Sequence, residues 1–424
     1  MLRQITKGDT LGYAIGSFGT GVFSTVPAVL LLYFCTETLG ISGSIAALLI
    51  LIPKLWSIVW DPFVGSWSDR SQHRSGRRRP FMVTGIIGMV ITFVLLFNVP
   101  ALGAGQTIAW VGINYFALAT LYSLFAVPYI AIPAEVSNDQ SALARLVSWR
   151  MVLVMIGILA GAAGAPIIVE AYGGGRGGYG VMGWVIGAMC LIAMSVPLLM
   201  LRGRDRPAEA ASRNARRPSL LADMMASMAN MNFRKLSFAY LTQATAFGAF
   251  SAIVPYVVTK GMGKTDADIG TALGVYLLAT IIAVPFWSWL GKNIGLRNAL
   301  KWSAVAYGLG TLGIGLSIVY QLDWGVALGF LAFAGIPFAG LQVLPFTLVG
   351  DLIRAEGADA EGRFTGIWTA AEKLGLALGA VLVGQTIDLI HGHMLQGIGL
   401  FVCIVPLILC IASTLFLSAA RDPT

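Results

Sequence analysis

The sequence predicts an all-α membrane protein with twelve transmembrane helices. Of its 424 residues, 57% are apolar and only 11% are charged, and the apolar residues gather in stretches of about 20, the length that spans a bilayer as a helix. Soluble domains carry about 25% charged residues, so a soluble fold is excluded. A transmembrane β-barrel is excluded too, because its strands would show short stretches of alternating hydrophobicity.

The predicted helices follow one another along the whole chain. They cover residues 11–34, 43–66, 80–100, 106–130, 147–171, 178–201, 235–259, 267–291, 298–320, 325–348, 364–390 and 394–418. The longest polar stretch, residues 202–234, separates the first six helices from the last six. We therefore predict two six-helix bundles, residues 1–201 and 235–424, joined by a cytoplasmic linker at 202–234.

The two halves also share a repeated sequence pattern. Asp61-Pro62-Phe63 in the first half corresponds to Val284-Pro285-Phe286 in the second, and a basic loop follows each. We expect these Pro-Phe pairs to end the second helix of each bundle.

The net charge of +8 is a signal of topology. With the N-terminus inside, the outer loops carry only Arg176, Lys260 and Lys264 as basic residues, whereas the inner loops are rich in arginine. Such an excess marks cytoplasmic loops. We expect a multi-pass protein of the cytoplasmic (inner) membrane, with both termini in the cytoplasm and no nucleic-acid partner.

No motif of an enzyme is found in the sequence. A phosphate-binding G-x-x-x-x-G-K-[ST] loop is absent, which excludes ATP-driven pumping by this motif. The histidines are His73, His391 and His393. The last two form an H-G-H pair in an outer loop, which as a metal site lacks support from cysteine or carboxylate. We therefore predict no enzymatic activity, no metal and no cofactor other than a coupling ion.

Two charged residues lie near the middle of predicted helices: Asp61 in the second and Lys373 in the eleventh. A charge in hydrocarbon costs a few kcal/mol, so such residues usually line a polar cavity or a transport path. The spacing of Lys54, Ser57 and Asp61 puts all three on one helix face. Asp61 can hold a cation or take up a proton, because a low dielectric favours the neutral carboxyl. The alternative is a salt bridge with Lys54 or Lys373 that only fixes packing.

Several motifs resemble a known family. GSWSDR at 65–70 and GRRR at 76–79 resemble the signature loop of the major facilitator superfamily. KLW at 54–56 leading to Asp61, residues 122–128, and the residues Arg150 and Lys373 resemble the glycoside–pentoside–hexuronide:cation symporter family, which includes melibiose permease. The resemblance covers nearly the whole chain. It implies the major facilitator fold and alternating access, with a substrate site between the bundles near the midplane.

The resemblance further implies an ion site on the second and fourth helices. Sodium-using members carry two carboxylates one turn apart and a hydroxyl on the fourth helix. This chain has Ser57 at the first carboxylate position, Asp61 at the second and Ser123 at the hydroxyl position, with Lys54 on the same face. Hard cations prefer several oxygen ligands, whereas a proton needs one titratable group. We expect proton coupling, with sodium as the alternative.

For the substrate, the resemblance implies that Lys373 faces the central cavity and links the ion site to the sugar site. Pairing with Asp61 across the two halves is the alternative role, and for Arg150 the alternative is snorkelling to the interface. The other candidate substrate-binding residues are Arg150, Trp149, Tyr122, Gln342, Trp368, Thr369 and Glu372. The carboxylates with which galactoside carriers hold the sugar correspond to Gly21 and Ala126. A galactoside is therefore disfavoured.

A cytoplasmic charge set is also implied, which latches the halves closed on the inside. It consists of Asp69 and Arg70, the three arginines Arg77, Arg78 and Arg79, and Asp351, Glu356 and Arg363. The alternative role of most of these arginines is to anchor the topology at the membrane surface. Asp69 is an acid within a basic loop, and we expect it to form an ion pair.

The sequence thus predicts a secondary transporter, a monomer among membrane lipids, that moves a sugar or glycoside together with a cation. Three other functions remain open. They are a lysophospholipid-like carrier on the same scaffold, a sensor that does not transport, and a drug exporter.

Overall fold

The protein is all-helical in a computed structural model that describes residues 6–71, 73, 76–136, 139–200, 227–356, 361–390 and 394–419. Within these residues, twelve helices are long and apolar enough to cross a membrane, which confirms the predicted fold class. In chain order they are α1 Lys7–Tyr33, α2 Gly43–Arg70, α3 Arg79–Phe97, α4 Ala104–Val136, α5 Gln140–Ala171, α6 Gly175–Met200, α7 Met231–Tyr256, α8 Asp266–Ile294, α9 Leu296–Val319, α10 Trp324–Glu356, α11 Glu361–Leu389 and α12 Met394–Ala419.

Two helices of the first unit begin at residues that cap them. Thr6 and Asp9 form a capping box at the start of α1, in which each side chain satisfies the other residue's backbone N–H. Asp139 caps α5 by accepting from the backbone N–H groups of Ser141 and Ala142. The Ser141 hydroxyl and these N–H groups lower the pKa of the exposed Asp139 carboxyl, because they stabilise its charged form.

The Pro-Phe pairs do not end their helices, contrary to the sequence-based expectation. Pro62 and Pro285 lie inside α2 and α8, which continue to Arg70 and Ile294. Proline is tolerated within membrane helices because neighbouring groups can satisfy the backbone carbonyl that it leaves without a donor. Asp61 therefore lies well inside a continuous helix, nine residues before its end.

The chain divides into two compact units. One holds the described residues up to Ile41 and from Ile52 to 200, and the other holds Ser42–Leu51 and the described residues from 227 onward. α7 begins at Met231, within the stretch predicted as linker, of which residues 202–226 lie outside the described residues.

Both units pack their helices in the same pattern. In the first, α1 packs against α5 and α6, and α3 packs against α4 and α6. In the second, α7 packs against α11 and α12, and α9 packs against α10 and α12. α1 and α7 are the most deeply buried spans of their units, and each ends in a π-helical turn, Phe34–Thr38 and Val257–Gly261. The internal repeat seen in the sequence thus extends to the packing.

Candidate functional site

The side chains of Asp61 on α2 and Ser123 on α4 meet inside the first unit. The Ser123 hydroxyl donates to Asp61 Oδ1 at 2.6 Å, and Ser123 is only 3% exposed, whereas Asp61 is half-buried. A hydrogen bond to a charged acceptor is short and strong. Two residues that the sequence predicts as part of one ion site are therefore in direct contact.

Ser57 and Lys54 lie on α2, one and two turns before Asp61. The Ser57 hydroxyl is buried and donates to the Lys54 carbonyl oxygen at 2.8 Å. The hydroxyl hydrogen of Ser57 is thus engaged in a hydrogen bond within α2. The hydroxyl oxygen still has lone pairs that can bind a cation or accept a hydrogen bond. Lys54 is half-buried.

Arg150 on α5 is half-buried and lies near two tyrosines of the same unit. Its guanidinium is close to the hydroxyl groups of Tyr13 and Tyr122, and Tyr122 in turn is close to Asp61. Arg150 Nε is buried and makes no hydrogen bond within the described part of the chain. An arginine with spare donors beside tyrosine hydroxyls can bind a polar ligand through several hydrogen bonds.

Sequence reasoning missed Tyr13 and its partner Tyr129. Each tyrosine hydroxyl donates to the other residue's backbone carbonyl, their rings stack with centroids 4.7 Å apart, and Ser17 Oγ lies 2.7 Å from the Tyr129 hydroxyl. This network joins α1 to α4 beside Arg150. Tyr13 and Tyr129 are 116 residues apart, so only their polar groups within apolar helices could have suggested them.

The positions that correspond to the sugar-binding carboxylates are closely packed. A Cβ atom on Gly21 would lie 2.5 Å from the backbone oxygen of Val154 on α5, which is too close for any side chain without a backbone shift. Ala126 on α4 is buried. The glycine therefore permits close contact between α1 and α5, in addition to lacking the carboxylate.

The tryptophans of this unit differ in their surroundings. Trp149 is exposed. Trp56 and Trp60 stack on each other, and their indole N–H groups donate to Thr120, at 3.0 Å to its hydroxyl and 3.1 Å to its carbonyl oxygen. Trp56 and Trp60 thus tie α2 to α4, in agreement with a packing role.

In the second unit, the predicted substrate residues lie on α10 and α11. Trp368 is 2% exposed and stacks on Tyr240 with ring centroids 4.0 Å apart. Gln342 and Glu372 line one small cavity. Thr369 is exposed and donates to the backbone of its own helix. Lys373 is half-buried and follows Glu372 directly.

The structure describes the side chains of most, but not all, residues of the predicted cytoplasmic charge set. Asp69 pairs with Arg78 at 2.8 Å and with Arg77 at 3.7 Å, so this acid is paired as expected. Arg78, a member of the predicted set, is buried and also donates to the Pro128 carbonyl oxygen at 3.2 Å. It therefore joins the loop after α2 to α4.

The rest of this set falls on α2, α10 and α11. Asp351 pairs with Arg354 on the same helix, and Arg70 is exposed. The side chains of Glu356 and Arg363 lie outside the described residues, as do His391 and His393. Among the residues that the structure does describe, no group of three or more His, Cys, Asp or Glu is placed to hold a metal ion.

Comparison with known proteins supports transport. YagG of Escherichia coli (strain K12), described as a glycoside/cation symporter, is 27% identical over 98% of this chain and 92% of its own. The isoprimeverose transporter of Lactiplantibacillus pentosus is 25% identical over 90% of this chain and 80% of its own. The sodium-dependent lysophosphatidylcholine symporter 1 of Xenopus tropicalis is 22% identical over 80% and 70%.

Solved structures agree in fold. The nucleoside transporter NupG (D323A mutant) matches with a TM-score of 0.73 at 12% identity, over 96% of this chain and 99% of that chain. The family model for MFS/sugar transport proteins matches residues 12–420, nearly the whole chain, which confirms the family predicted from the motifs. The chain is an integral multi-pass membrane protein and belongs to the MFS/sugar transport protein family.

Proposed function

We propose that this protein carries a sugar or glycoside across the inner membrane in symport with a cation, by alternating access and as a monomer. The observation that carries the proposal is the hydrogen bond from Ser123 to Asp61, which sets a carboxylate inside a membrane-spanning bundle. Such intramembrane acids commonly mark ion or proton paths. The charge of the loops favours cytoplasmic termini.

The arrangement around Asp61 favours a proton as the coupling ion. Of the predicted oxygen ligands, Ser123 donates to Asp61, and Ser57 donates to its own helix. One carboxylate with two hydroxyl oxygens is a sparse set of ligands for a hard cation, whereas one carboxylate is enough for a proton. Sodium is the alternative.

The substrate proposal rests on the polar groups next to this carboxylate. Tyr122 lies close to both Asp61 and Arg150, and the hydrogen-bond donors of Tyr122 and Arg150 suit hydroxyl oxygens of a sugar. The names of two relatives, a glycoside symporter and an isoprimeverose transporter, point the same way. The other predicted substrate residues remain predictions: Lys373, Trp368, Thr369, Gln342, Glu372 and Trp149. The pairing of Asp61 with Lys373 also stays a prediction.

A lysophospholipid-like substrate is the second candidate. Gly21 and Ala126 leave the first unit without the two extra sugar-binding carboxylates, and Gly21 has no room for one. A relative of this chain is a lysophosphatidylcholine symporter. Arginine donors would suit the phosphate of such a lipid as well as a sugar.

The proposal is tested with purified protein in two steps. First, thermal stabilisation is measured with a panel of glycosides and with lysophosphatidylcholine; stabilisation by the lipid alone would favour the second candidate. Uptake of the stabilising compound into proteoliposomes is then driven by an imposed pH gradient or an imposed sodium gradient. Uptake driven only by sodium would overturn proton coupling.

A matched pair of variants checks the role of Asp61. Asp61→Asn is expected to abolish gradient-driven uptake, because it removes the titratable group. Asp139→Asn, the same change at the exposed cap of α5 in the same unit, is expected to leave uptake intact, since asparagine caps helices as well as aspartate does. Full gradient-driven uptake by Asp61→Asn would contradict the proposal.

A further inference from the structure

A small cavity lies inside the second unit, between α7, α10 and α11. Its volume is about 20 Å³, just enough for one water molecule. Four polar side chains, Tyr240, Gln243, Gln342 and Glu372, line it together with apolar residues. A water needs two to four polar partners to be stable in a protein interior, and this cavity offers that many.

Gln243 brings to this cavity a side chain with a buried polar atom that lacks a partner among the described residues. Its side chain is 3% exposed, and its Nε2 donates to Ser413 Oγ on α12 at 2.7 Å. Its Oε1 is buried and has no hydrogen-bond partner in the described chain. If the side-chain amide of Gln243 is rotated by 180°, its NH₂ group takes the position of Oε1 and lacks a partner in the same way. A buried polar atom without a partner costs about 1–3 kcal/mol, so a water molecule is expected there.

Glu372 brings a carboxylate to the same cavity from α11. The Tyr240 hydroxyl on α7 lies beside it, and the Tyr240 ring is fixed by stacking on Trp368. Tyr240 is the titratable group that α7 presents to the cavity, α10 contributes the neutral Gln342, and Lys373 follows Glu372 on α11. The remaining walls are apolar, formed by Ala244, Phe247, Phe338, Leu341 and Leu376.

We infer that this cavity holds one water molecule and that Glu372 is a second proton-binding group of the carrier. A proton from the aqueous phase adds to a carboxylate oxygen of Glu372 and forms an O–H bond. That O–H donates to the water, and the water donates to Gln243 Oε1. Release of the proton reverses the step, so no other bond forms or breaks. The site lies in the second unit, whereas Asp61 lies in the first, and the inference rests on the proposed coupling to a cation.

The test is infrared difference spectroscopy of the full-length protein in lipid nanodiscs between high and low pH. The wild type is expected to show a band from a protonated carboxyl group that is absent from Glu372→Gln. The band is expected to persist in Asp61→Asn and in the control Asp139→Asn. A failure of the proposed coupling at Asp61 is therefore distinguishable from a failure of proton binding at Glu372. A Glu372→Gln spectrum identical to that of the wild type would overturn the inference.

Two further variants test the neighbours of Glu372 without removing it. Gln243→Leu is expected to shift the frequency of the Glu372 band, because the chain of hydrogen bonds through the water is lost; an unchanged frequency would exclude the water bridge. Tyr240→Phe removes a donor that favours the charged carboxylate, so the band is expected to persist to higher pH. An unchanged pH dependence in Tyr240→Phe would show that Glu372 does not titrate beside Tyr240.

Discussion

The Ser123 hydroxyl donates to Asp61 Oδ1 at 2.6 Å, joining α4 to the only carboxylate that α2 carries before Asp69. The bond is buried on the serine side, so water competes little for it. In the proposed symport, we therefore expect Ser123 to influence which cation Asp61 binds, and how tightly.

Replacing Ser123 is expected to have opposite effects on proton and sodium coupling. The serine donates to the carboxylate, so Ser123→Ala should lower the proton concentration needed for uptake by about ten-fold or more, since a hydrogen bond to a charged group contributes ~1.5–3 kcal/mol. If the serine oxygen is instead a sodium ligand, Ser123→Ala should raise the sodium concentration needed for uptake. The measurement is the uptake rate as a function of each cation.

Ser123→Thr serves as the control, because it keeps the hydroxyl and is expected to keep the wild-type cation dependence. If Ser123→Ala changes neither the proton nor the sodium dependence, Ser123 takes no part in ion coupling.

The close packing of α1 on α5 leads to a prediction about stability. A Cβ on Gly157 would lie 2.2 Å from the Phe18 backbone oxygen, whereas a Cβ on Gly164, two turns further along the same helix, would meet nothing within 4 Å. Gly157→Ala is expected to lower stability by ~1–3 kcal/mol, as overpacking does. Gly164→Ala should leave stability unchanged or raise it, since alanine favours a helix over glycine.

Thermal unfolding of the two purified variants, followed by intrinsic fluorescence, measures this difference. Equal melting temperatures for Gly157→Ala and Gly164→Ala would mean that the α1–α5 contact is looser than described.

Arg78 is expected to matter more than the neighbouring arginine. It is buried and bonds both Asp69 and the Pro128 carbonyl oxygen, so Arg78→Ala removes two hydrogen bonds that join the loop after α2 to α2 itself and to α4. We expect a loss of about 2–4 kcal/mol, since a hydrogen bond to a charged group contributes ~1.5–3 kcal/mol. Arg79→Ala is the matched control and should be nearly neutral. Thermal unfolding and the yield of folded protein are the measurements, and equal losses in both variants would contradict the assigned contacts.

The sequence predicts those structural features that depend on one segment of the chain alone. The number of helices and the central charges are readable because hydrophobic length and a charge within it are properties of one segment. The contact of Ser123 with Asp61 was reached through a family resemblance, since the spacing of 62 residues carries no signal by itself.

The missed features are contacts between distant segments. Tyr13 and Tyr129 exchange hydrogen bonds across 116 residues, and nothing in either segment marks the partner. Arg78 was one of three consecutive arginines, and only the fold selects the one that turns inward. Gly21 was noted for the carboxylate that it lacks, whereas its packing against Val154 depends on where α5 lies.

A last prediction concerns the start of α2, which groups with the second unit. The Asp388 carboxylate on α11 accepts from the backbone N–H groups of Gly43 and Ser44 at 2.6 and 2.8 Å. It thus supplies a cap from another helix, and a negative charge is favoured at a helix N-terminus. The backbones also touch, because a Cβ on Gly384 would lie 2.3 Å from the Gly43 oxygen.

Asp388→Ala is expected to loosen this end of α2 because it leaves both N–H groups without their acceptor. Hydrogen exchange of peptides covering Ser42–Leu51 should become faster by about ten-fold or more, since each lost hydrogen bond to a charged group contributes ~1.5–3 kcal/mol. Gln385→Ala, a change to an exposed residue one turn earlier on α11, is the control and should leave exchange unchanged. If hydrogen exchange of these peptides is no faster in Asp388→Ala than in Gln385→Ala, the Asp388 carboxylate does not cap α2 in the protein.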